Sequence, residues 1–124
     1  MRIRLHRPLL VLVLLCLADS AGCTASSGRS GLDEDMLLAD AAPAEREDFC
    51  TWAVQVLGGE GAFPVCEGVM LDPVRYAECE SDFAAWSRCD ITISMVEDCI
   101  LAQADDPCQG RESRACNPPS VTCR

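Results

Sequence analysis

Ten cysteines in 124 residues are the densest source of chemistry in this chain, and their spacing narrows what that chemistry is. Eight of them run from the middle of the chain to its end at intervals that shorten along it: Cys50, Cys66, Cys79, Cys89, Cys99, Cys108, Cys116 and Cys123. Zinc sites bring two ligands together on a tight C-x₂₋₄-C knuckle. The tightest pair here, Cys116 and Cys123, has six residues between its members, and the only histidine is His6. No metal ligand set or other cofactor site is therefore expected. A C-x-x-C pair, the usual basis of catalytic thiol–disulfide exchange, is absent as well. What remains is a disulfide framework, which belongs to an oxidising compartment.

The two other cysteines lie near the N-terminus, where the residues read as an export signal. Arg2, Arg4 and Arg7 form a positive start, an apolar run follows from Leu9 to Ala18, and Ser20, Ala21 and Gly22 form a small-residue zone. The run is about half the roughly twenty residues a spanning helix needs, which favours a signal peptide over 1–22. Ser20-Ala21-Gly22-Cys23 resembles a bacterial lipobox, in which the cysteine is lipidated and becomes the mature N-terminus. Ser20 stands where that motif prefers an aliphatic residue, and Asp19 adds a charge, so ordinary cleavage after Ser20 or Gly22 competes. Parity favours lipidation. Removing Cys16 with the signal and acylating Cys23 leaves eight cysteines, which can pair completely. Cys23 is thus the expected lipidation site, with the bilayer as partner through its acyl anchor.

Other chemistries have few residues to rest on. With His6 inside the signal, the mature chain has no imidazole to act as general base or to activate a nucleophile. Carboxylate pairs such as Glu78 with Asp82 and Glu97 with Asp98 read as solvated helix faces. Asp33-Glu34-Asp35 and Asp105-Asp106 lack the ligand pattern of a calcium loop. No catalytic residue is expected. Beyond Cys23 there are seven Arg against nineteen Asp or Glu, a net charge of −12. Such a surface repels phosphate backbones and speaks against nucleic acid as a partner.

The elements that must position the cysteines follow from pattern. A flexible acidic tether is expected over 23–44, first rich in Ser and Gly, then acidic, with a disordered apolar patch at Met36-Leu37-Leu38. A cysteine-rich helical domain is expected over 45–124. Its first helix runs from about Ala44 to Leu57, entered near Pro43 and stopped by Gly58-Gly59. The second is expected to start at Asp72 as N-cap with Pro73 in the first position, and to carry a core stripe of Tyr76, Cys79, Phe83 and Trp86. The third reads as capped by Ser94, with Glu97 completing a capping box and Val96, Cys99, Ile100 and Gln103 sharing a face. Asp105-Asp106-Pro107 ends it, and a short turn of helix fits 111–116. Only Val65 to Leu71 suggests a strand, and Gly68 breaks it. The fold class is mainly α: a helix hairpin with a third helix packed on it, stapled by disulfides.

Eight cysteines allow 105 pairings. Antiparallel packing of the second helix on the third suggests Cys89 with Cys99, Cys79 with Cys108, Cys50 with Cys66 and Cys116 with Cys123. Four bridges suit a domain this small, whose core is limited to few aromatics.

The runs Cys79-Glu80-Ser81-Asp82-Phe83, Cys89-Asp90-Ile91-Thr92-Ile93, Val96-Glu97-Asp98-Cys99 and Asp105-Asp106-Pro107-Cys108 resemble the small cysteine-rich lipoproteins of myxobacteria and similar bacteria. The resemblance covers Cys50 to about Cys116 and lies in cysteine spacing. It implies an envelope or extracellular location and carries over no catalytic residue. The function expected is that of a non-enzymatic interaction or structural module, exported and lipid-anchored in the envelope, at the outer membrane, beside an envelope or extracellular protein partner. The alternative is a released disulfide-rich effector of inhibitor or toxin type.

Overall fold

A computed structural model describes residues 28–124. The expected signal peptide, Cys16 and Cys23 lie outside the described residues. Three helices, α1 (Pro43–Val56), α2 (Tyr76–Trp86) and α3 (Ile93–Asp105), carry the fold. A two-stranded hairpin of β1 (Val65–Cys66) and β2 (Val69–Met70) lies between α1 and α2, and short 3₁₀ turns cover Leu38–Asp40 and Gly110–Glu112. The mainly helical class, with the third helix packed on the rest, is as expected.

α1 forms where its sequence says it must. Pro43 takes the first helical position, where a missing N–H costs nothing, and the Glu45 carboxylate accepts the Ala42 N–H at 2.7 Å. Its C-terminal end is a Schellman closure. Gly59 donates to the Val54 carbonyl at 2.8 Å and Gly58 to that of Gln55 at 3.2 Å. Both glycines have positive φ, 108° and 101°, which a side chain would resist.

α1 is the helix against which both α2 and α3 pack. Phe49 on α1 meets Phe83 on α2 edge to face at 5.6 Å and tilts against Trp52 at 5.4 Å. Such aromatic pairs contribute about 0.5–1.5 kcal/mol beyond the area they bury. Ile93, Val96 and Ile100 close the core from α3, and Arg46 lies over the Phe83 ring at 5.7 Å. The stripe of Tyr76, Cys79, Phe83 and Trp86 packs on this core as its spacing implied.

Four local expectations are corrected. The α2 helix begins at Tyr76, not at Asp72-Pro73. Val74 is held extended, its N–H donating to Ala62 O and its carbonyl accepting from Gly61 N, both at 2.8 Å, so the chain cannot coil until Arg75. Glu60, far back in the chain, supplies the missing cap by accepting the Tyr76 N–H at 2.8 Å. The α3 helix begins at Ile93, so Ser94 sits inside it and Glu97 reaches back to no cap. Between Val65 and Leu71 the chain is a true hairpin, with Val65 opposite Met70 and Cys66 opposite Val69. Gly68, with Glu67 before it, makes the turn instead of breaking a strand. Their φ values of 83° and 49° match the right-handed twist of the strands.

The fourth correction concerns the tether. Residues 28–44 are part of the folded unit. Leu38 is fully buried and Ala41 nearly so, and Leu32 and Met36 pack on the same core. Leu37 forms a β-bridge with Thr92. Composition suggested disorder because the segment is short of apolar residues, but the few it has join the core that all three helices share.

All eight cysteines are bridged, in pairs that differ throughout from the expected ones. Cys50–Cys79 joins α1 to α2, and Cys66–Cys108 joins the hairpin to the loop after α3. Cys89–Cys123 joins the α2–α3 turn to the C-terminus, and Cys99–Cys116 joins α3 to the C-terminal segment. The expected set assumed that α2 and α3 face each other. Because α1 is the common partner, Cys79 points into α1, and α3 is left to bond with the C-terminal segment. The separations run from 17 to 42 residues. Taken singly, each such closure stabilises by about 3–4 kcal/mol through the unfolded chain. Cys66–Cys108 interleaves with each of the other three bridges, which makes a single covalent mesh of the domain.

Candidate functional site

The described chain begins with the residues nearest to Cys23, and they are held by an unusual group. Glu97, in α3, is fully buried and is the one buried charged residue among those described. It lies on the apolar stripe with Ile93, Val96 and Ile100, which is why the helix carries it inward. Its carboxylate is satisfied entirely from the N-terminal segment. Arg29 Nη1 donates to Oε2 at 2.9 Å, and the Ser30 N–H and hydroxyl donate to Oε1 at 2.7 and 2.6 Å.

The same segment grips its surroundings at further points. Arg29 Nη2 donates to Asp98 at 2.7 Å, and its Nε lies 3.5 Å from Glu34. Hydrogen bonding to Glu97 and then to Asp98 pushes the Arg29 guanidinium above its already high ordinary pKa, so it is charged at every accessible pH. The Trp52 indole N–H donates to Gly28 O at 2.8 Å. The Met36 and Glu34 carbonyls accept the N–H groups of Ile93 and Ser94 at 2.9 and 3.1 Å. These are the unpaired donors at the start of α3. The segment therefore caps α3 with its backbone, the task the sequence had assigned to the Ser94 side chain.

This arrangement was not foreseen from sequence, although one signal was there. A glutamate three residues before Ile100 and four after Ile93 stands in a buried stripe and calls for a partner. The other carboxylates fall as expected. Glu78 and Asp82 are exposed. Among the described residues no group of three or more His, Cys, Asp or Glu side chains converges as a metal site would require.

Two other surface features stand apart from this strap. A cleft of about 140 Å³ opens between α1, α2, α3 and the loop before α2, lined among others by Leu57, Leu71, Trp86, Arg75 and Arg111. Around the hairpin, Phe63, Val65, Val69 and Met70 are exposed, Met70 by 70%. The bridge from Cys66 fixes that apolar patch in place.

No helix among the described residues is long and apolar enough to cross a membrane. Four disulfides are typical of an oxidising, exported environment. Comparison with protein-family models, with curated proteins and with solved structures finds no match.

Proposed function

We propose that this chain is an exported lipoprotein of the bacterial envelope, anchored in a bilayer through Cys23, whose stapled helical domain serves as a non-enzymatic interaction or structural module. The observation that carries the reading is the complete pairing of Cys50 through Cys123. Those eight bridge only to one another, and a free thiol at a mature N-terminus is a liability outside the cell. Acylation removes it. The Cys23 sulfur loses its proton and forms a thioether to a diacylglyceryl group from a phospholipid, whose headgroup phosphate leaves and takes up the proton. The outer membrane is the bilayer this reading favours, and an envelope or extracellular protein is the partner it leaves for the module.

Metabolic labelling with palmitate tests the anchor. Label that follows the protein and disappears in Cys23→Ala supports it. Unlabelled protein in the culture fluid, cleaved after Ser20 or Gly22, overturns it in favour of a released effector.

A further inference from the structure

The order in the strap has a consequence for where an anchored domain would sit. Gly28 is only five peptide units from Cys23. Five units reach at most about 18 Å when fully extended. Had the chain been free to Pro43, the reach would have been about 70 Å. The fold thus takes back most of a potential tether, and it does so with the Glu97 group at the first of the described residues.

We propose that residues 28–30 are a membrane-proximal clamp that holds the domain against the bilayer, with the Arg29–Glu97 end turned toward the lipid headgroups. This rests on the acyl-anchor reading above. The clamp is built for the task. A buried carboxylate that must find hydrogen bonds has three of them from two consecutive residues, and the domain side of the grip is the rigid α3. Once Glu97 lets go, only the single Trp52–Gly28 hydrogen bond resists release of the chain back to Leu32, the next residue packed on the core. The reach from Cys23 would then nearly double, to about 32 Å. Arg29 also offsets the local acidity. Glu34, Glu97 and Asp98 all pair with it, which reduces repulsion between this end and anionic headgroups. Glu97 is accordingly a positioning residue for the anchored end.

The test uses the acylated full chain and a Glu97→Leu variant, which removes all three bonds, each in a Trp86→Phe background that leaves Trp52 as the reporter. Hydrogen exchange reads the clamp without reference to a membrane, and Cys23→Ala protein serves equally well for it. The Ser30 and Leu32 amides should exchange about tenfold to a hundredfold faster in the variant, with α1 amides unchanged. Energy transfer from Trp52 to dansyl headgroups in phosphatidylethanolamine vesicles reads the position. It should fall at least about twofold in the variant, as the reach nearly doubles. Equal exchange in both proteins overturns the clamp. Lost protection with unchanged transfer overturns its role in holding the domain at the bilayer. Absence of an acyl mass on Cys23 sinks the anchor reading and with it this proposal's membrane half, while the exchange result still decides the clamp.

Discussion

Ser30 and Glu97 are 67 residues apart in sequence, yet the backbone N–H and the hydroxyl of Ser30 both donate to one carboxylate oxygen of Glu97. With Arg29 on the other oxygen, a buried charge is fully satisfied and residues 29 and 30 are fixed to α3. The energetic stake is asymmetric. A buried ion pair adds little net stability over an apolar pair, but removing one partner leaves an uncompensated charge.

Arg29→Ala should therefore destabilise the fold, because the buried Glu97 loses its charged partner and keeps only its bonds from Ser30. Urea denaturation with the disulfides intact measures it. An unchanged unfolding midpoint would show that Glu97 does not rely on Arg29 in solution.

The disulfide map is open to direct measurement. Peptide mapping without reduction should recover Cys50–Cys79, Cys66–Cys108, Cys89–Cys123 and Cys99–Cys116. A peptide linking Cys79 to Cys108, or Cys89 to Cys99, would restore the nested arrangement that spacing suggests and would contradict the packing of both helices on α1.

Gly110 packs against the end of α3. A Cβ there would lie 2.5 Å from the Ala102 carbonyl oxygen and from Gln103 Cα, both backbone. Gly110→Ala is expected to destabilise by about 1–3 kcal/mol, because neither neighbour can turn aside. Thermal unfolding that leaves the midpoint unchanged would argue that the loop after α3 moves freely.

Glu60 caps α2 from outside the helix, so Glu60→Ala should cost about 1 kcal/mol. The loss should appear first as faster exchange of the Tyr76 amide. Equal exchange in the two proteins would mean that the cap is not formed.

Tyr76 has a pH signature. Desolvation first, then the nearby charges of Glu80 and Glu47, raise its phenol above the ordinary 10.0. The folded chain keeps a proton that the unfolded chain gives up. The stability this group lends is complete below the ordinary tyrosine value and is lost as pH rises through the folded one. Phenolate absorbance in the folded protein should rise later than in the denatured protein. Coincident titration curves would remove the shift.

Much of the fold was legible because its determinants are local. Pro43 and Gly58-Gly59 bound α1 through backbone geometry that only those residues favour, and the Tyr76 to Trp86 stripe marks a core face by helical period alone. The eight-cysteine count already implied a closed disulfide set, and charge spoke against nucleic acid. Tertiary structure decided what depends on which surfaces meet. Asp72-Pro73 is a good helix start in isolation, but Val74 is claimed by hydrogen bonds to Gly61 and Ala62. Ser94 and Glu97 form a capping box on paper, yet carbonyls from the N-terminal segment reach the α3 donors first and free Glu97 to turn inward. The cysteine pairs, and the order of residues 28–44, follow from α1 being the common partner of both other helices. No spacing along the chain encodes that choice, because it is made by side-chain volumes and polar groups far apart in sequence, satisfied together or not at all.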